Sequence, residues 1–249
     1  MRWAGKASAL SRWKSNETAP TPSIVGGKND RYYRLNRRGV LRLMSYSRNN
    51  PSPRYLELSN VYLNYHADRQ DRFVGASLRP HLGTIRTLIA STDSSSILDY
   101  GSGKGLLYKE PLPGGLTVRQ FWNVENIQCF DPGVPEFSRM PDEAFDGVIS
   151  TDVLEHCPEE DIPWIVGEMF AHARKFIFAN IANYPAKKTL PNGENAHCTQ
   201  WPAERWKTVF DTAARAGVIY RIEVDTKQTI PFVGKTIKKT TVVTGGKRG

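Results

Sequence analysis

The sequence predicts an α/β fold: a mostly parallel sheet with helices on both faces and an antiparallel hairpin at one edge. Three observations carry this. From about residue 55 onward, short apolar runs that suit buried strands alternate with longer segments of helical period. One run, Ile97–Tyr100, passes directly into glycines at alternate positions, "GSGKG". The last two strand candidates, Val218–Val224 and Thr240–Thr244, have no helical segment between them, which suits antiparallel rather than parallel pairing.

Each element follows from its own pattern. Residues 1–30 are rich in Thr, Pro, Ser, Asn and Gly, without a sustained period, and read as irregular. Arg31–Arg48, RYYRLNRRGVLRLMSYSR, is basic, and its apolar positions Leu35, Val40, Leu41 and Met44 are loosely helical. It reads either as a solvated helix face or as a patch for phosphate-bearing partners. NNPSP, Asn49–Pro53, is a breaker cluster. Residues 55–90 read as helix in two pieces, the second carrying Leu78, Leu82, Ile85, Leu88 and Ile89 at nearly 3.6-residue spacing. Ile97–Tyr100, Ile127–Phe130 and Phe145–Ser150 read as strands. A helix is expected over Pro158–Ala173, with Pro first and acids in its first turn. Phe176–Ile181 follows as a strand, and Pro202–Ala216 as a helix closed by Gly217. Only Pro132–Ala144 separates the second strand from the next. That is too short for a helix plus a further strand, so the region around a third strand is shortened.

Charge divides the chain. Residues 1–60 hold 12 Lys/Arg against 3 Asp/Glu, while residues 61–249 hold 22 of each. We therefore expect a basic, partly irregular N-terminal extension at 1–54 and a folded domain at 55–249. RNA or another polyanion is a possible partner of the extension. No apolar run approaches the ~18–20 residues of a membrane helix. Cys129, Cys157 and Cys198 form no CxxC pair, which fits a reducing compartment. The start, MRWAGKASALSRWKSN, lacks an apolar signal core. It has the composition of a mitochondrial transit peptide as well as of a basic terminus, and a cytoplasmic chain is the expectation. Oligomeric state is not legible.

The glycine loop restricts the chemistry. A strand that ends in glycines exposes backbone N–H groups and lets a ligand approach closely. A nicotinamide fingerprint, GxGxxG, would need a small residue at position 106, where Leu106 stands. Asp-x-Gly-x-Gly-x-Gly, Asp99–Gly105, instead resembles the first motif of class I S-adenosylmethionine-dependent methyltransferases. CFDPG places Asp131 where that family holds ribose hydroxyls. FDGVISTDVLEH, Phe145–His156, resembles the family's fourth strand and following loop, in a variant frequent among methyltransferases of small molecules and sugars. The resemblance spans roughly residues 73–245. It implies a Rossmann-like fold and S-adenosyl-L-methionine as cofactor. It also implies a cofactor site made of Asp99, Tyr100, Gly101, Ser102, Gly103, Gly105, Asp131, Pro132, Asp152, Val153 and Leu154. Two departures stand out. Asp131 lies unusually far beyond the glycines, with Glu125 as a competing ribose acid. The acid that touches adenine has no counterpart, so Phe137 or Met140 would have to form that wall.

For the acceptor side, His156 and His197 are candidate general bases, because imidazole titrates near neutral pH. Each equally suits a structural role in its loop. Tyr65 and His66, with Tyr62, precede the first core helix, where this family often covers its donor site; the tyrosines suit a packed helix stripe as well. Asp152 and Glu155 could receive a substrate amine or hydroxyl. No metal site is expected: His156–Cys157 and His197–Cys198 are two His-Cys dipeptides, but their spacing matches no common zinc pattern. The loop after the fourth strand lacks the motif of DNA amino-methylating enzymes, and the chain has no Pro-Cys dipeptide. The expected acceptor is therefore an O or N atom of a small or saccharide-like molecule. An RNA-directed enzyme and a non-catalytic cofactor-binding relative are the alternatives.

Overall fold

The computed structural model describes residues 46–68, 75–229 and 236–246, with three short strands before them. Those three, β1 (Ile24–Gly26), β2 (Tyr32–Leu35) and β3 (Leu41–Leu43), form an antiparallel sheet in that order. They belong to a unit of residues 1–45. The loosely helical reading of Arg31–Arg48 is thus corrected. Aromatic and branched side chains such as Tyr32, Tyr33 and Leu35 suit a pleated strand better than a helix face.

The second unit starts at Tyr46, inside the segment that the sequence reading gave to the extension. Ser52 Oγ accepts the Tyr55 N–H at 3.0 Å and so caps helix α1 (Pro53–Asp68), with Pro53 pre-shaped for the first position. The Ser52 N–H and hydroxyl both donate to the Asp161 carboxylate. Arg48 pairs with Glu168 and donates to Tyr100 Oη at 3.1 Å, its guanidinium 4.7 Å from the Phe130 ring centroid. A fork of charge-assisted bonds and ring contacts holds this stretch against the core.

The main sheet contains β4 (Ser96–Tyr100), β5 (Asn126–Phe130), β6 (Phe145–Thr151), β7 (Ala173–Asn183), β8 (Ile219–Thr229) and β9 (Thr236–Gly246). Its order is β5-β4-β6-β7-β8-β9, parallel throughout except for the β8–β9 pair. This is the predicted Rossmann-like sheet with its edge hairpin. β5 is an edge strand, and a single short turn at Pro135–Phe137 stands where a third strand was missing from the sequence.

Alternation along the strands splits the core in two. Leu98, Val148, Ile177 and Ile222 face α4 (Ile162–His172) and α5 (Ala203–Ala213), meeting Ile165, Met169, Phe170, Trp206 and Phe210. Ile97, Ile149, Phe176 and Phe178 face the other way, toward α2 (Leu82–Ser91) and α3 (Val118–Trp122). All seven residues of β6 are buried, as a central parallel strand requires. Helix α4 starts at Ile162 rather than Pro158. Pro158–Asp161 closes a separate turn, and the Asp161 carboxylate is taken by Ser52 and by the Trp164 Nε1–H at 2.7 Å.

Chain order runs from β4 outward to β5, then back across β4 to β6. The order in which strands are laid down therefore reverses at β4, and open α/β sheets form their ligand crevice at the carboxyl ends of the strands at such a point.

A Cβ at Gly147 would overlap the Phe176 ring and stand 2.9 Å from Ile97 Cδ1. Gly147→Ala is expected to cost about 1–3 kcal/mol through overpacking. Phe176→Leu in the same chain should recover part of that loss, giving a coupling above about 0.5 kcal/mol in urea unfolding.

Candidate functional site

A cleft of about 840 Å³ opens at this switch point. On one side the loop after β4 is tied to the end of β5. Phe130 O accepts from the Gly101 N–H at 2.7 Å and the Ser102 N–H at 3.1 Å. Asp131 then takes the Gly103 N–H on Oδ2 and the Gly133 N–H on Oδ1, both at 2.8 Å. Gly101, Gly103 and Gly105 have φ of 86°, 57° and 59°, the left-handed region that glycine enters freely. A Cβ at Gly101 would also overlap the Val153 methyl groups.

Tyr100, Gly101, Ser102, Gly103, Asp131, Pro132, Asp152 and Val153 line the cleft. Three residues expected at the cofactor do not line it. Asp99 lies beneath the loop, buried, and accepts the Tyr108 hydroxyl at 2.7 Å. Gly105 closes the loop through its N–H to Ser102 O at 3.2 Å. Leu154 is a core side chain at 1% exposure. Glu125 sits at the amino end of β5, the opposite end from the cleft, with its N–H on Ser95 O. Phe137 and Met140 are also absent from the wall; Met140 packs on the core under α4, and Phe137 O instead holds the Asp131 N–H at 2.9 Å.

The other side is built from the loop after β6 and residues 184–201. Asp152 turns the chain at φ 62°, uncommon for a non-glycine residue. A short turn at Leu154–His156 follows. Glu155 points inward, fully buried, and Oε1 accepts the Ala182 N–H at 2.7 Å. It ties the turn to β7 and is not on the cleft wall, which corrects its expected role toward substrate. Burial, then the charge of Asp152, pushes its pKa well up. Thr199 continues the attachment, its N–H to Glu155 O at 3.0 Å and its hydroxyl to Cys157 O at 2.6 Å. Asn195 shapes the loop from within. Its Oδ1 accepts the Ala186 and His197 N–H groups, and its Nδ2 donates to Ala186 O.

These attachments bring His156 and His197 together, with ring centroids 4.8 Å apart. His156 Nδ1 stands 2.9 Å from Ala196 O and 2.8 Å from Tyr62 Oη. His197 Nδ1 stands 2.6 Å from Tyr184 O. A carbonyl can only accept, so Nδ1 of each ring carries a proton. Burial, opposed by Asp152 and reinforced by His197, pushes the His156 pKa down to about 4, so it is neutral near pH 7. Burial also raises the Cys157 thiol pKa well up and that of Cys198 to about 11. The His-Cys dipeptides therefore do not act as pairs: the histidines meet each other and Asp152, not the neighbouring sulfurs.

Helix α1 lines the cleft with Leu58, Tyr62 and Tyr65. The side chain of His66 lies outside the described residues. Sequence reasoning missed Tyr184, Lys187, Lys188 and Lys227, all on the wall. Tyr184 lies directly after β7, in the stretch NYPA, Asn183–Ala186. Lys227 comes from β8 and sits 3.9 Å above the Tyr184 ring. Among the described residues no helix is long and apolar enough to cross a membrane.

No family model and no curated protein sequence matches the chain. Among solved structures, the chain is similar to 1,6-didemethyltoxoflavin-N1-methyltransferase of Burkholderia thailandensis, solved with 1,6-didemethyltoxoflavin and S-adenosylhomocysteine bound. Identity is 13% and the TM-score 0.48, over 92% of this chain and 99% of that one. A DhpI–SAH complex matches with 13% identity and a TM-score of 0.30, over 77% of this chain and 81% of that one.

The buried Asp99 gives the loop a pH signature. Burial raises its carboxyl to about 7, against the lowering by the Tyr108 hydroxyl and with the Asp131 charge adding. An unfolded aspartate releases its proton near 4, so the folded form alone keeps it between ~4 and ~7. This contribution to stability is complete below ~4 and is lost as pH rises to ~7. Asp99→Asn does not titrate and still accepts from Tyr108. Its stability relative to the wild type should therefore rise between pH ~5 and ~7.5, by at most ~1.4 kcal/mol per unit. Urea unfolding across that range tests this, and a flat difference would show that Asp99 titrates normally.

Proposed function

We propose that this chain is an S-adenosyl-L-methionine-dependent methyltransferase acting on an O or N atom of a small polar acceptor. One observation carries the reading: a single cleft at the β4 switch point has the glycine loop and Asp131 on one side and two adjacent imidazoles on the other. The residues fit the cofactor. The cleft is of the size that holds a nucleoside-like ligand, and side chains are missing where the backbone must come close. When bound, the cofactor supplies a methyl group already activated on a sulfonium.

The protein's task is then to bind, align and accept a proton. Two amide bonds fix the Asp131 carboxylate on the cleft wall, and a carboxylate placed there suits ribose hydroxyls. The fixed loop leaves Gly101 and Gly103 without side chains at the closest approach. His156 and His197 stand together on the acceptor side, where the acceptor's proton must leave. Lys187, Lys188 and Lys227 on the same wall favour an acceptor that is itself anionic. We read a small acceptor from the mixed polar and aromatic lining of this cleft, with a polyanionic partner for the basic residues 1–45 as the second reading.

Calorimetry of the full chain with S-adenosyl-L-methionine and with S-adenosylhomocysteine tests the reading. Both should bind, and Gly101→Asp or Gly103→Asp should weaken each at least ~100-fold by filling the cradle and adding charge. A well-folded wild type that binds neither would overturn it.

A further inference from the structure

The acceptor side contains more than a pair of bases. Donor atoms of Asp152, His156 and His197 all lie within 4.8 Å of one another. The backbone carbonyls of Ala196 and Tyr184 hold the proton on Nδ1 of each imidazole. A ring nitrogen of each histidine and a carboxylate oxygen therefore share one small space. Donation from the far ring nitrogen to a carbonyl is also how metal-ligating histidines are oriented. Asp152 is exposed to the cleft while His197 is buried, so the group has a closed back and an open front.

We propose that Asp152, His156 and His197 form a three-ligand site for a divalent transition-metal ion, with its remaining positions open to an oxygen atom of the methyl acceptor. Three protein ligands plus an open position is the pattern of catalytic rather than structural sites, and a mixed imidazole–carboxylate set suits zinc, iron, manganese or cobalt. Ligand atoms ~2.1 Å from one ion stand about 3 to 4.2 Å apart, so side-chain shifts of under about an ångström close the site. An ion there polarises and positions an acceptor hydroxyl. The two imidazoles are then ligands, and the hydroxyl's proton passes to solvent rather than to a histidine. The role in methyl transfer rests on the function proposed above; the binding of the ion does not.

This site is not legible in the sequence. Asp152 and His156 are four residues apart, but His197 comes from a loop beyond the next strand, and the eye is drawn to the adjacent cysteines instead.

The test uses the full chain, freed of metal with a chelator and titrated with Co²⁺ and separately with Zn²⁺. One ion per chain should bind, and Co²⁺ should develop the visible bands of a low-coordinate nitrogen–oxygen site. His156→Ala and His197→Ala should each weaken binding at least ~100-fold, and Asp152→Asn about tenfold or more. Asp152 is exposed, so its substitution keeps the test open should a histidine variant fail to fold. Cys157→Ser with Cys198→Ser should leave the affinity unchanged. Absence of binding, or binding that survives all three ligand substitutions or is lost with the cysteines, would overturn the proposal. Calorimetry with S-adenosylhomocysteine on the same samples separates the two readings. Cofactor binding without metal would sink this inference alone; metal binding without cofactor would sink the proposed function alone.

Discussion

The cleft depends on how the chain leaves β4. A strand that ends in three glycines has little of its own to fix its path. Here Phe130 O receives two successive N–H groups, and the carboxylate of the next residue receives a third. The end of β5 thus dictates the shape of the loop after β4. The loop in turn leaves Asp131 with a fixed orientation, because Gly133 holds its other oxygen. Val153 packs where a side chain on Gly101 would be, which couples the same loop to the one that carries Asp152 and His156. Three strand ends are therefore set by one group of short bonds.

The opposite wall has no such local logic. It is a long loop sewn to the turn after β6 by Thr199, and shaped internally by Asn195. Tyr62 reaches it from α1, linking a helix from the start of the domain to a histidine 94 positions later. Helix α1 is itself positioned by Ser52 on Asp161, and the preceding turn by Arg48 on Glu168. The segment that looked like the end of a basic extension is one of the supports of the cleft.

This difference explains what could be read from the sequence. Parallel strands that are buried on both faces write themselves as continuous apolar runs, and β4, β6 and β7 were legible for that reason. The glycine loop and Asp131 were legible because each acts within a few residues of its strand. Asp99 and Leu154 share the motif but sit under it, and spacing alone does not say which way a side chain points. Arg48 could not be recognised as a core residue, since its partners Glu168, Tyr100 and Phe130 are distant in the chain and a basic run suggests solvent. The start of α4 moved because Asp161 serves Ser52 and Trp164, a competition that no local capping rule records. The meeting of His156 with His197 joins two loops distant in the chain, and that Asp152 joins them depends on a backbone turn at positive φ.

The proton positions on the two histidines have an unusual origin. They are set by main-chain oxygens of residues 196 and 184, and no substitution can remove a carbonyl. Relatives could therefore exchange most side chains of this loop, altering which acceptor fits, while each imidazole keeps its proton on the same nitrogen. What cannot vary freely is the path of the loop, and that path rests on few side chains, Asn195 within it and Thr199 at its attachment. Substrate preference and reactive geometry are in this way placed on separate parts of the same segment, one open to drift and the other fixed.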